Sequence, residues 1–181
     1  MTARKKFTWA PKSPSVFKAA MRFVLDGHLG KLARHLRMMG FDALWREDYS
    51  DEEILRIQAA ERRVVLSRDR ALLKDPRLGE GYWVQASGPK EQAREVLSRF
   101  DLFSRIDPFT VCLECNGKIA AVKKEEILDR IEDETREVFD EFFICRDCRK
   151  IYWKGSHYDR MMEFIRELQK NRRADSFSTE H

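Results

Sequence analysis

No stretch of this chain approaches the roughly eighteen apolar residues that a membrane-spanning helix requires, so no membrane partner is expected. Charge of one sign is also in short supply. The 35 Lys and Arg residues against 31 Asp and Glu leave a net +4, which permits an anionic partner without demanding one. The basic start, with Arg4, Lys5, Lys6 and Lys12, lacks the apolar core of a secretion signal, because Pro11, Ser13, Pro14 and Ser15 occupy its place. A cytoplasmic protein is the expectation. Cysteine is confined to two Cys-x-x-Cys pairs, and without a secretory signal such pairs favour metal binding over disulfides. What remains, 181 residues that are 43% hydrophobic and 36% charged, suits one α/β domain with a small appendage.

The chain is organised around Arg22-Phe23-Val24-Leu25-Asp26-Gly27-His28-Leu29-Gly30. Phe23, Val24 and Leu25 read as a buried strand that the glycines stop, leaving a carboxylate at its C-terminal end. An amphipathic helix then begins at about Leu29, carries Leu32, Ala33, Leu36 and Met39 on one stripe, and ends at Gly40. Its other face, with Lys31, Arg34 and His35, reads either as solvated or as a phosphate-contacting surface. Asp42 to Trp45 is a second strand, and Ser50-Asp51-Glu52-Glu53 matches a capping box opening a helix to about Arg62. Val64-Val65-Leu66 is a third strand, followed by Ser67-Arg68-Asp69-Arg70 and a short helix from Ala71. Gly81 to Gln85 is a fourth strand, and Pro89 starts a helix to about Phe100. This alternation predicts an α/β fold: an open parallel sheet with right-handed crossovers and helices on both faces. The expected organisation is a flexible basic arm over 1–20, this domain over 21–104, a ribbon with a closing helix over 105–170, and a disordered tail over 171–181.

Asp26, Asp51 and Asp69 each fall where an α/β sheet brings loops to one edge. Each also has a structural reading, as a cap or as a first-turn acid favoured by the helix dipole. Ionised carboxylates packed together are tolerated mainly when a cation offsets them, and hard oxygen ligands in an open site suit magnesium or manganese. Such a site activates water for phosphodiester hydrolysis. Lys31, Arg34, Arg68 and Arg70 are candidate RNA contacts around it.

Cys112-x2-Cys115 and Cys145-x2-Cys148 supply four thiolates in two knuckles, the pattern of a closed structural zinc site. Ile119 to Val122 and a helical stretch from Lys123 to Arg130 fill the gap between them. After the second knuckle, Lys150-Ile151-Tyr152-Trp153-Lys154-Gly155-Ser156-His157-Tyr158 interleaves rings with positive charge. It reads as an RNA-holding surface through Lys150, Lys154 and His157, or as a strand with Ile151 and Trp153 inward and Tyr152 outward. Tyr158 to Gln169 reads as a closing helix.

The residues from Val24 to Asp42, then Ser50-Asp51-Glu52-Glu53-Ile54-Leu55, then Arg63-Val64-Val65-Leu66-Ser67-Arg68-Asp69 resemble the Mut-seven C-terminal RNase domain family, a branch of the PIN-like nucleases. The likeness continues through both cysteine pairs to Tyr158. It implies a PIN-like fold and metal-dependent RNA cleavage, with the family's acids on Asp26, Asp51 and Asp69 and a fourth acid or hydroxyl for which Ser67, Asp48 and Glu52 are candidates. The expected function is a ribonuclease with RNA as partner, alongside the ribosome or RNA-processing factors, and zinc and magnesium or manganese as its metals. The rival is a non-catalytic RNA- or ribosome-binding adaptor in which the acids are helix caps.

Overall fold

A computed structural model describes residues 21–176 of the protein. The basic arm expected over 1–20 and the last residues of the tail lie outside the described residues. Four parallel strands, β1 (Arg22–Leu25), β2 (Asp42–Trp45), β3 (Val64–Ser67) and β4 (Gly81–Trp83), stand in the order β2-β1-β3-β4. Between and after them run α1 (Gly30–Met38), α2 (Asp51–Glu61), α3 (Arg70–Leu73) and α4 (Pro89–Arg99). Strand alternation divides the apolar residues between two layers. Phe23, Leu25, Ala43, Val64 and Leu66 meet Leu32 and Leu36 of α1 and Val96 and Leu97 of α4. Val24 and Val65 face the other way, onto Ile54 and Leu55 of α2 and Leu72 of α3. Helices therefore cover both faces, as expected. The chain winds outward from β1 to β2 and then crosses back to β3, so β1 and β3 flank the point where the winding reverses.

The helix boundaries have local causes. Ser50 accepts the Glu53 N–H while the Glu53 carboxylate accepts the Ser50 N–H, the reciprocal box anticipated from the sequence. Gly40, at φ +89°, turns the chain after α1.

The cysteine region forms an antiparallel sheet, β5 (Ile119–Val122), β6 (Phe142–Cys145) and β7 (Ile151–Trp153), in the order β5-β6-β7. Ile127, Ile131, Phe142 and Ile144 make its core. The helix expected from Lys123 to Arg130 is instead two single 3-10 turns, Lys124–Glu126 and Leu128–Arg130, followed by a short α5 (Asp133–Val138). Ile127 and Ile131 are the buried anchors of that stretch, too few for the apolar stripe a longer helix would bury. Trp153, expected inward, is 40% exposed, whereas Ile151 packs on the ribbon core.

The last helix, α6 (Ser156–Ser176), begins earlier and runs further than the sequence pattern indicates. Its Ile165 and Leu168 enter the main core beside α1, Phe164 stacks on His35 with ring centroids 4.4 Å apart, and Glu167 pairs with Lys90. The face of α1 read as solvated or phosphate-binding is thus partly covered. His35 is half-buried, its Nδ1 3.2 Å from the Pro89 carbonyl, and burial lowers its pKa.

A polar latch joins the two sheets. Arg37 is 4% exposed. Its Nε donates to the Ala43 carbonyl at 2.8 Å, and its Nη1 donates to the carbonyls of Leu113 and Glu114 at 3.1 and 2.8 Å. Asn116 accepts the Ala43 N–H at 2.8 Å and donates to Asp42, whose carboxylate also holds the Arg63 fork at 2.7 and 3.1 Å. Burial works against the charge of Asp42, but Arg63 and Asn116 outweigh it and lower its pKa.

Candidate active site and metal centre

Asp26 closes β1 at the winding reversal and is 6% exposed. Its Oδ1 accepts the His28 N–H at 3.0 Å; its Oδ2 accepts the Arg68 N–H at 2.9 Å and the Ser67 hydroxyl. Ser67 Oγ in turn accepts the Asp69 N–H at 2.8 Å. One hydroxyl therefore ties the ends of β1 and β3 together. Among the described residues Asp26 has no cationic partner. Gly27 is required by close approach: a Cβ there would sit 2.5 Å from the Glu47 carbonyl oxygen. Trp45 Nε1 donates to the Gly27 carbonyl at 3.2 Å, pressing the same turn against the end of β2.

Asp69 is exposed and caps α3, accepting the Ala71 N–H at 2.6 Å. Asp51 is the exposed first residue of α2, with no hydrogen bond to either of the other acids among the described residues. Asp26 and Ser67 continue the rows of Val24 and Val65, on the face that α2 covers. The start of α2 lies at that same edge, because the helix runs back against the strands between β2 and β3. The structure thus joins Asp26 and Asp69 through Ser67 and sets Asp51 at the same edge of the sheet, without drawing the three carboxylates into one tight group. Of the candidate fourth residues, Ser67 is the one bonded to Asp26. Asp48 is engaged by Arg46 and Glu52 by Arg77.

The candidate RNA contacts divide in the same way. Arg34 and Lys150 both pair with Glu114, and Lys154 pairs with Glu141. Lys31, Arg68, Arg70 and His157 are exposed, and none of them forms an ion pair among the described residues. Arg70 instead lies over the Trp83 ring, 3.7 Å from its centroid. An apolar groove lined by Phe109, Phe143, Tyr152, Trp153 and Met161 adjoins the ribbon, and none of its lining residues belongs to the acidic edge.

Cys112, Cys115, Cys145 and Cys148 are free thiols whose ligand atoms all lie within 4.8 Å of one another. Among the described residues they are the one group of three or more His, Cys, Asp or Glu side chains that meets this spacing. The sulfurs of Cys112 and Cys148 are 3.6 Å apart and those of Cys115 and Cys145 3.4 Å, near the ~3.8 Å edge of a tetrahedron with zinc–sulfur bonds of about 2.3 Å. The donor set and its geometry fit zinc. Tyr152 donates its hydroxyl to Cys112 at 3.0 Å. Burial opposes ionisation of Cys112, but the backbone N–H groups of Cys115 and Glu114 and the Tyr152 hydroxyl outweigh it and bring its pKa down to about 7. Burial pushes the Cys115 thiol up to about 12. Arg37 is the matching cation: burial lowers its pKa, while charge on Cys112 and Cys115 acts in the opposite sense.

Sequence reasoning missed Arg37, Asn116 and Trp83. The first two bond backbone groups across the junction between the parallel sheet and the ribbon, which no local pattern marks. Trp83 was read only as part of a strand.

No curated protein and no solved structure matches the chain. A model of the family described as the Mut7-C RNAse domain matches residues 21–165, a span holding both the acidic edge and all four cysteines. The chain belongs to the Mut7-C RNAse domain family.

Proposed function

We propose that this protein is a magnesium- or manganese-dependent ribonuclease of PIN-like architecture, hydrolysing RNA phosphodiester bonds at the carboxyl edge of its parallel sheet. Asp26 carries the reading. A buried carboxylate with no cationic partner is costly, and a divalent ion would offset that cost. Asp26 is held by the Ser67 hydroxyl and two backbone N–H groups, all neutral, so no charge among the described residues cancels its own.

Magnesium and manganese take hard oxygens, need only one or two carboxylates and keep several waters. The edge offers that set: Asp26 fixed in place, Asp69 two residues beyond Ser67 with its backbone N–H on the same hydroxyl, and Asp51 at the start of α2. Oxygens bound directly to one such ion lie within about 4.2 Å of one another. Asp26, Asp51 and Asp69 would hold the ion, although as they stand they do not meet even the 4.8 Å spacing that the four cysteines meet. When bound, the ion supplies a water of lowered pKa and positive charge against the phosphate. Ser67 keeps the Asp26 carboxylate oriented. Arg68 and Arg70, which flank Asp69 and form no ion pair among the described residues, offset the repulsion between this acidic edge and an RNA backbone.

The zinc ribbon serves this domain chiefly as a structural partner, holding α1 and β2 through the Arg37 and Asn116 latch. The unoxidised four-thiol cluster suits a reducing compartment, which we take to be the cytoplasm.

The test is Asp26→Asn, assayed with manganese on single-stranded and structured RNA. Cleavage should fall by more than about 100-fold, with zinc content and Tm retained. Equal cutting by both proteins would reject the nuclease reading. The adaptor reading predicts RNA affinity that depends on Lys150 and Lys154, yet both are already paired with glutamates.

A further inference from the structure

Four arginines stand around the acidic edge, on the loops and helix starts that follow β2 and β3. Arg46 is tied to Asp48, and Arg77 to Asp75 and Glu52. Arg68 lends its backbone N–H to Asp26. Arg70 is held in another way. It is exposed, forms no ion pair among the described residues, and lays its guanidinium on Trp83 with 3.7 Å between Cζ and the ring centroid.

The location of this stack is set by the sheet. Trp83 is the register partner of Ser67 across β3 and β4, and Ser67 is the hydroxyl that binds Asp26. Arg70 follows Asp69, whose N–H the same hydroxyl accepts. A carboxylate partner would orient an arginine but would also compete with an incoming phosphate. An aromatic face orients the guanidinium and leaves its charge and its N–H fork available.

We propose that Arg70, held flat on Trp83, grips the RNA phosphate beside the one cleaved, with Trp83 as the positioning residue behind it. This deepens the ribonuclease reading and rests on it. A fork of this kind matches two phosphate oxygens at once, which a lysine at the same position does not. The ligand is the backbone of a single strand, read without regard to base sequence.

The experiment is equilibrium binding of a short fluorescent single-stranded RNA to the full zinc-loaded chain, without added magnesium or manganese, over a range of salt concentrations. Arg70→Ala should weaken binding about 10-fold and reduce the slope of log affinity against log salt by about 0.7, one single-strand phosphate contact. Arg70→Lys should keep the slope but not the affinity. Trp83→Leu should weaken binding about 3-fold with the slope unchanged, and Trp83→Phe should restore most of it. The double variant Arg70→Ala with Trp83→Leu should bind no worse than Arg70→Ala alone, because Trp83 acts through the arginine. Wild-type affinity in Arg70→Ala, or additive losses in the double variant, would overturn the proposal. Because no cleavage is read, a failure of the nuclease assignment would show separately, in the Asp26→Asn assay.

Discussion

Arg37→Met and Arg34→Met make a matched pair on one helix, both removing an arginine that reaches Glu114. Arg34 does so in water: its side chain is 56% exposed, and it meets the Glu114 carboxylate at 3.1 Å. Arg37 does so in the interior, through one bond to the Ala43 carbonyl and one each to the carbonyls of Leu113 and Glu114. A charge-assisted bond of this kind contributes about 1.5 kcal/mol net, and methionine offers the carbonyls nothing in return. Release from burying a guanidinium offsets part of the loss, leaving a cost of about 3 kcal/mol. At about 2–4 °C per kcal/mol for a chain of this size, Tm should fall by roughly 6–12 °C. The exposed pair contributes less than about 1 kcal/mol, so Arg34→Met should stay within ~3 °C of wild type. Scanning calorimetry with saturating zinc measures both. Equal shifts, or an unchanged Tm in Arg37→Met, would refute the view that the latch joins the two sheets.

Stripping zinc with a strong chelator should lower Tm and loosen α1 and β2, seen as faster amide exchange at Ala43. Zinc affinity should rise with pH. In the metal-free chain Cys112 has a pKa near 7 while Cys115 sits near 12, so loading the site displaces protons. Competition with a chromophoric chelator at about pH 6 and pH 8 checks the sign. Gly27→Ala should abolish cleavage at a modest cost in Tm, because its Cβ would displace the turn carrying Asp26 from the Glu47 carbonyl; activity equal to wild type would show that the turn has room.

Much of this was legible in the chain because the signals are local. An apolar run ending on Asp26, a capping box at Ser50 and two cysteine knuckles are each encoded within a few residues, and together they indicated the parallel sheet, its flanking helices and the four thiols. That Ser67, and not Asp48 or Glu52, bonds Asp26 needed coordinates, since all three are polar residues beside the same edge and only their neighbours separate them. Arg37 was hidden for a different reason. Its partners at Leu113 and Glu114 are backbone carbonyls 76 and 77 residues away, and a carbonyl carries no sequence signature. His35 looked like a surface charge because the aromatic ring that covers it arrives from the last helix.

β2 is a rim strand of the parallel sheet, and the peptide group of Ala43 turns outward, away from β1. Its N–H is answered from the ribbon by Asn116, and its carbonyl by Arg37 of α1, which also holds the ribbon's Leu113 and Glu114 carbonyls. A chain deprived of its cysteine-bound ion would bare that rim, and a bare rim is a template on which a second copy of the same protein can add its own strand. Metal starvation would then surface as self-association, and the ribbon would be the device that keeps the protein solitary.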